Sequence, residues 1–432
     1  MQAGLSTKNA PSPSVVLPHY AAGAIFFLTA SVLLFFTSGD LANSYIGPKV
    51  LSVTHILVLG WITMIIFGAL YQLIPVVMEV KLFSEVLAHI SLYTLMSGTV
   101  LLSYSFWNSY IGETIFMQTG GTLILVSVIL FVINTLFSAL KTKQRTYENA
   151  FIVSSVFWLL LTVSLGIFIT LNLVFNFVPK SNIDLLPVHF HIGITGWFMM
   201  LVTGVASTLL PMFFIAHKLN RRLLKISFYL TNIGLIAISL NLYFGKNTVI
   251  TITSALVLLS GIILFVKYNY DAYKKRLRKK LDIGMKLSVL AFVLLFLSVI
   301  FGIFSALKLD ILSDFSTRIK SLYGVSMVLG FLTSIILGQM YKTLPFIVWL
   351  KMYQDKVGKF KTPMPAHLYG EKTANLHYYS FIIAFITIFI GILIKEKLLI
   401  EISAAFFIIT AGLFTFNTFK ILFHKEKTEP LK

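Results

Sequence analysis

Apolar runs long enough to span a membrane follow one another along almost the whole chain of 432 residues. A helix needs about 20 mainly apolar residues to cross the hydrocarbon core of a bilayer. By that measure the sequence predicts spans near residues 20–37, 51–75, 86–107, 114–139, 151–177, 188–214, 225–244, 248–267, 285–306, 321–347, 378–395 and 399–421. We therefore expect an all-α polytopic membrane protein with about 12 transmembrane helices in a single membrane domain, residues 1–432.

The composition supports this interpretation and limits the chemistry. Hydrophobic residues make up 57% of the chain and charged residues 12%, and the mean hydropathy is +0.88. The chain contains no cysteine, which excludes thiolate metal sites, iron–sulfur clusters and covalent c-type haem attachment. Any metal or cofactor must therefore be held by histidine, methionine, tyrosine or carboxylate side chains.

The net charge of +19 is concentrated in short loops and indicates orientation. Basic loops follow the fourth, sixth, eighth and tenth predicted spans, so they alternate on one side, which the positive-inside rule assigns to the cytoplasm. We therefore expect a multi-pass protein of a bacterial-type cytoplasmic membrane, with both termini in the cytoplasm and residues 1–19 as a cytoplasmic tail. This distribution accounts for the charge without a nucleic-acid partner.

The second, sixth and tenth predicted spans repeat one motif. Aligning His55 with His191 sets an offset of 191 − 55 = 136 residues. At this offset two glycines, a tryptophan and a proline coincide: Gly60, Trp61, Gly68 and Pro75 with Gly196, Trp197, Gly204 and Pro211. A third copy follows at an offset of 345 − 75 = 270 residues, and its matching residues are Gly330, Phe331, Gly338, Tyr341 and Pro345. The motif predicts three repeats of four helices with pseudo-threefold symmetry, about residues 20–140, 151–268 and 285–421.

This pattern resembles subunit I of the haem-copper oxidases and nitric oxide reductases. The resemblance rests on twelve helices in three groups of four, termini on the inner side, and histidines near the outer ends of helices two and six. The strings H-x-H-x-G-x-x-G-W-F and L-L-P-M-F are also similar to smaller oxidase-like and NnrS-type membrane proteins. The resemblance implies haem b, and copper or another transition metal, as cofactors. It also implies that His55 is an axial haem ligand and that His189 or His191 is a copper ligand.

The chain also departs from the family pattern. Helix seven, "ISFYLTNIGLIAISLNLYF", has no histidine, although the family carries a histidine pair there. On helix ten the family has haem-ligating histidines, whereas here Tyr323 and Val325 stand where His189 and His191 stand in the second repeat. We therefore expect no complete binuclear haem-copper centre, and an oxidoreductase activity stays a hypothesis.

The candidate ligands for haem or a metal are His55, His189 and His191. A ligating imidazole is neutral, and its second nitrogen usually bonds to a carbonyl or carboxylate. On an α-helix, Ile62 and Ile66 share the face of His55 and would form an apolar wall for a porphyrin. His189 and His191 are about 200° apart on a regular helix. They can share a site only if the backbone there is irregular, which the preceding Pro187 favours.

The remaining candidates have weaker signals. Trp61 and Trp197 are expected to pack at repeat interfaces or to contact a cofactor. His19 opens the first predicted span. Four further histidines fall at predicted cytoplasmic ends or loops, where a solvated side chain is the ordinary state: His89, His217, His367 and His377.

Three functions compete. The first is a haem-binding membrane protein of nitric oxide or respiratory metabolism that binds, senses or reduces a small ligand such as nitric oxide or dioxygen. The second is a transporter or assembly factor for haem or copper, in which the histidines are transient ligands. In the third, the scaffold has kept its fold without a cofactor.

Overall fold

A computed structural model describes residues 9–109, 114–245, 247–307, 316–426 and 429–430. Residues 1–8 of the predicted cytoplasmic tail lie outside this set. Twelve helices in the described residues are long and apolar enough to cross a membrane, and we number them α1 to α12: Pro13–Phe36, Pro48–Val77, Glu85–Trp107, Thr114–Ala139, Tyr147–Phe175, Asn182–Phe214, Arg222–Phe244, Thr248–Lys274, Ile283–Leu307, Ser316–Lys356, Glu371–Ile394 and Lys397–Leu422. The predicted all-α polytopic fold is confirmed.

The first helix begins earlier than the hydropathy pattern predicted. Ser12 is its N-cap, and its side-chain oxygen accepts a hydrogen bond from the backbone N–H of Ser14. Pro13 occupies the first helical position, where its fixed φ suits a helix and its missing N–H costs no hydrogen bond. Residues 13–19, which we had assigned to the tail, are therefore helical, and His19 is buried within α1.

Short elements complete the chain. A helix spans Ser38–Asn43, and 3₁₀ turns span Gln354–Lys356 and Pro365–Leu368. Strand β1, Phe360–Lys361, pairs antiparallel with strand β2, Glu429–Pro430, so that Phe360 lies opposite Pro430.

The helices form two compact units. Unit 1 contains residues 1–10, 73–98 and 113–280. It includes α4 to α8, and α5 packs on both α4 and α6. Unit 2 contains residues 11–72, 99–112 and 281–432. Within unit 2, α1 packs on α2 and α12, while α9 packs on α10.

The three motif helices share a departure from α-helical geometry. Each contains a π-helical segment, in which backbone hydrogen bonds span five residues instead of four. The segments are Ile56–Thr63 in α2, Ile192–Met199 in α6 and Ser326–Leu332 in α10. Their first residues are separated by 192 − 56 = 136 and 326 − 56 = 270, the offsets of the sequence motif. The repeated sequence therefore encodes a repeated backbone distortion.

This distortion corrects one prediction about the site. We placed Ile62 and Ile66 on the face of His55 by counting 3.6 residues per turn. The backbone from Ile56 to Thr63 is π-helical, so that spacing does not hold immediately after His55. Both isoleucines are buried, but their burial no longer identifies them as a wall beside His55.

Glycines at equivalent positions bring neighbouring helices together. A Cβ atom on Gly68 of α2 would lie 2.7 Å from the Cβ of His19 on α1. In the second repeat, a Cβ on Gly204 of α6 would lie 2.8 Å from the carbonyl oxygen of Glu148 on α5. In the third, a Cβ on Gly338 of α10 would lie 2.6 Å from the carbonyl oxygen of Gly284 on α9. Each motif helix thus uses a glycine to pack closely against the helix before it in its own repeat.

We predict that Gly338→Ala destabilises the protein by about 1–3 kcal/mol, because the new methyl group meets a backbone carbonyl that cannot move aside cheaply. Gly412→Ala on α12 is the matched control, since a Cβ there meets no atom within 4 Å. Alanine is the better helix former, so this control should be neutral or stabilising by about 0.5–1 kcal/mol. Thermal unfolding of both variants in detergent measures the difference. Equal midpoints would contradict the close α9–α10 contact.

Candidate functional site

His55 is held in a single ring orientation by its own helix. It is the last α-helical residue before the π segment of α2. Its Nδ1 lies 2.8 Å from the carbonyl oxygen of Leu51, one turn earlier. A carbonyl only accepts hydrogen bonds, so Nδ1 carries the proton and Nε2 of the neutral ring carries the lone pair. The ring also stacks on Phe106 of α3, with centroids 5.1 Å apart and planes 28° apart.

His191 repeats this arrangement in unit 1. It too is the last α-helical residue before a π segment, here the one in α6. Its Nδ1 lies 2.7 Å from the carbonyl oxygen of Pro187, again one turn earlier. A backbone carbonyl that fixes the tautomer in this way is typical of histidines that ligate metals through Nε2. The structure therefore gives the two sequence-equivalent histidines the same chemical preparation.

His189 has a different environment. A Cβ on Gly166 of α5 would lie 3.1 Å from Cε1 of His189 and within 4 Å of both ring nitrogens, so the imidazole ring covers this glycine. The third repeat has the same contact: a Cβ on Gly302 of α9 would lie 3.3 Å from the ring of Tyr323. The glycines are separated by 302 − 166 = 136 residues, the repeat offset. Because a tyrosine ring fills the equivalent position, the geometry of His189 is that of a packing side chain.

The expected irregular backbone around His189 and His191 is absent. The α-helix begins at Asn182, and the side chain of its N-cap, Ser181, accepts from the backbone N–H of Asp184. Pro187 lies inside this helix instead of at its start. The two histidines are consequently about 200° apart around the helix axis, and they do not converge on one ligand.

The two candidate tryptophans are buried aromatic packing residues in their respective units. In unit 2, Trp61 stacks on Phe27, with centroids 4.7 Å apart, and contacts the ring edge of Phe414 at 5.4 Å. Its indole N–H has no hydrogen-bond partner among the described residues. In unit 1, Trp197 makes an edge contact with Phe131 at 6.1 Å.

Helix α7 carries a hydrogen-bonded amide where a copper ligand would need imidazole. The side-chain oxygen of Asn232 accepts from Ser154 Oγ at 3.0 Å and from Trp158 Nε1 at 3.2 Å. Its amide nitrogen donates to the carbonyl oxygen of Phe228. Among the described residues, no three histidine or carboxylate side chains are grouped to hold a metal ion. These residues do not fit a copper centre with three protein ligands.

One histidine was misjudged from the sequence. We expected His377 to be solvated, but it is fully buried in α11, and neither ring nitrogen has a hydrogen-bond partner among the described residues. Its helical register was the available signal, because Ala374, Phe381 and Ala384 lie on the same side and are also buried. His217 and His367 are exposed as expected, whereas His89 is half-buried.

Comparisons with known proteins agree with the fold. Residues 53–255 match the family model for cytochrome c and quinol oxidase polypeptide I. An uncharacterised protein of Aquifex aeolicus (strain VF5) is 26% identical over 303 residues, which are 69% of this chain and 72% of that relative. A solved heme-copper terminal oxidase dimer matches 98% of this chain and 86% of its own, with a TM-score of 0.65 and 12% sequence identity. At this identity, the structural match shows a shared fold.

The packing of His189 generates a prediction. His189→Tyr should keep the protein folded, with a loss of less than about 1.5 kcal/mol, because Tyr323 shows that a phenol ring fits over the equivalent glycine. His189→Ala leaves a gap over Gly166 and should cost more stability. Thermal unfolding compares the two variants, and metal and haem analysis of the same samples tests ligation. Loss of a bound cofactor in folded His189→Tyr would contradict the packing role.

Proposed function

Because the chain belongs to the haem-copper oxidase subunit I superfamily, we propose that it is a haem-binding membrane protein that acts on a small ligand in nitric oxide or respiratory metabolism. The observation that carries the proposal is the bond from His55 Nδ1 to the carbonyl oxygen of Leu51. This bond selects the tautomer with a free lone pair on Nε2, and it holds the ring in place before any cofactor binds. An axial haem ligand needs both properties.

The described residues fit haem b and not a c-type haem. Without cysteine the porphyrin must be held by ligation and packing alone. His55 is our candidate for the axial ligand, with Phe106 stacked on its ring to restrict rotation. Trp61 is a candidate cofactor contact, since its buried indole N–H has no partner in the described part of the chain. When bound, haem would supply an iron that takes nitric oxide or dioxygen as a ligand.

His191 is the second candidate ligand, in unit 1. Its bond to Pro187 gives it the same lone pair on Nε2, whereas His189 packs on Gly166. Among the described residues no third or fourth ligand joins His191. We therefore build no copper step into the proposal. The fold supplies two prepared histidines, and the haem iron needs at least one of them.

The test is the absorption spectrum of the full chain, purified in mild detergent from haem-sufficient cells, oxidised and then reduced with dithionite. We expect near-stoichiometric haem by pyridine haemochromogen, and a spectral shift when nitric oxide is added. His55→Ala should lose the haem, because alanine cannot replace the axial nitrogen. His217→Ala is the matched control, since His217 is exposed, and it should keep the haem.

The variants separate the alternatives. Haem lost in His191→Ala but kept in His55→Ala would move the axial ligand to unit 1 and contradict our assignment. Well-folded protein without haem would contradict haem binding altogether. Substoichiometric haem or copper that exchanges readily would favour the transporter or assembly factor, in which the histidines hold cargo only transiently.

A further inference from the structure

His377 is a buried polar side chain without a protein partner. Neither Nδ1 nor Nε2 has a hydrogen-bond partner among the described residues, and the side chain is 0% exposed. A neutral imidazole has one donor and one acceptor, and burying both unpaired costs several kcal/mol (roughly 1–3 for each group). Native proteins rarely leave such groups unsatisfied, and ordered water is the common partner when protein groups are missing.

The other buried histidines show what His377 lacks. His19, His55 and His191 each place Nδ1 within 2.8 Å of the carbonyl oxygen four residues earlier. His377 could use the carbonyl of Thr373 in the same way, but it makes no such bond. Its ring instead lies 5.6 Å from the ring of Tyr341, measured between centroids, and 5.8 Å from that of Phe414.

The neighbouring hydroxyl group also has unused hydrogen-bonding capacity. Tyr341 Oη accepts from the amide of Asn417 over a long 3.4 Å. No described residue accepts the hydroxyl proton of Tyr341. Asn417 is itself fixed, because its side-chain oxygen accepts from the backbone N–H of Gly370 at 3.0 Å. Tyr341 therefore offers a donor beside an imidazole that needs an acceptor and a donor.

A small cavity adjoins these groups within unit 2. It has a volume of about 10 Å³, close to the minimum that one water needs. The residues that line it are Met340, Tyr341, Leu344, Phe414, Asn417, Thr418 and Ile421. Tyr341 and Phe414 both line the cavity and contact the ring of His377. The lining contains no charged side chain, which disfavours an ion.

We propose that this cavity is a binding site for one water molecule, which bridges the imidazole of His377 to the hydroxyl group of Tyr341. The water would accept the Tyr341 proton and donate to His377, so that both groups gain a partner. This site is separate from the candidate haem ligands. Tyr341 follows Val325, the residue equivalent to His55, by 16 residues, or about 24 Å along the helix. The inference does not depend on haem.

The test is a cryo-electron-microscopy map of the full chain in lipid nanodiscs at a resolution that shows ordered water. We expect a density peak within about 2.7–3.2 Å of both Tyr341 Oη and a ring nitrogen of His377. Tyr341→Phe keeps the ring but removes the bridging hydroxyl, so the peak should be lost. Tyr369→Phe is the matched control. It removes a hydroxyl from a ring 5.1 Å from Tyr341 that does not line the cavity, and the peak should remain.

A second measurement does not require the variants to be crystallographically or microscopically tractable. In the full chain with ¹⁵N-labelled histidine, solid-state NMR should show magnetisation transfer from water protons to the His377 nitrogens. The His377→Phe spectrum assigns those signals, and Tyr341→Phe should abolish the transfer. A direct bond from either nitrogen to a protein group, absence of transfer in the wild type, or transfer unchanged by Tyr341→Phe would each overturn the proposal.

Discussion

A chain that crosses a bilayer must satisfy its polar groups internally, because the hydrocarbon core offers no water. The backbone meets this demand by folding into helices, and the histidines of this protein meet it with the same backbone. His19, His55 and His191 each place Nδ1 beside the carbonyl oxygen one turn earlier. Local bonding of this kind satisfies one nitrogen without help from another helix. It also fixes which nitrogen keeps its lone pair, so a requirement of folding becomes a condition for ligand chemistry.

The same demand explains the repeated glycines. Where two helices approach closely, no side chain can separate them, and Gly68, Gly204 and Gly338 provide that space at equivalent positions. Packing of this kind is driven by contact area, because lipid tails are as apolar as leucine. The π segments begin twelve residues before each of these glycines, at Ile56, Ile192 and Ser326. A shared backbone plan therefore survives where the side chains have diverged, as Trp61, Trp197 and Phe331 have.

Much of the fold was predictable from the sequence, because hydropathy reports burial in lipid directly. The spans and the repeat offset follow from apolar runs and from the spacing of glycine, tryptophan and proline. The π segments did not follow, since hydropathy carries no information on whether a backbone bond spans four or five residues. The start of α1 was missed because the polar run around Ser12 and Pro13 is both a typical tail and a good helix start. Pro187 was misjudged for a related reason: its ring fits the first turns of a helix, and that helix starts five residues earlier.

The site was harder to predict, because residue type does not show which nitrogen of a histidine is free. His189 and His191 look alike in the sequence, yet one ring covers Gly166 and the other bonds to Pro187. The repeats resolve this ambiguity. Tyr323 takes the packing role of His189, but Val325, which is equivalent to His55 and His191, has no polar side chain. The third repeat thus keeps the packing ring and the π segment without the prepared imidazole, which indicates that the fold requires the former and that ligand chemistry accounts for the latter in the first two repeats.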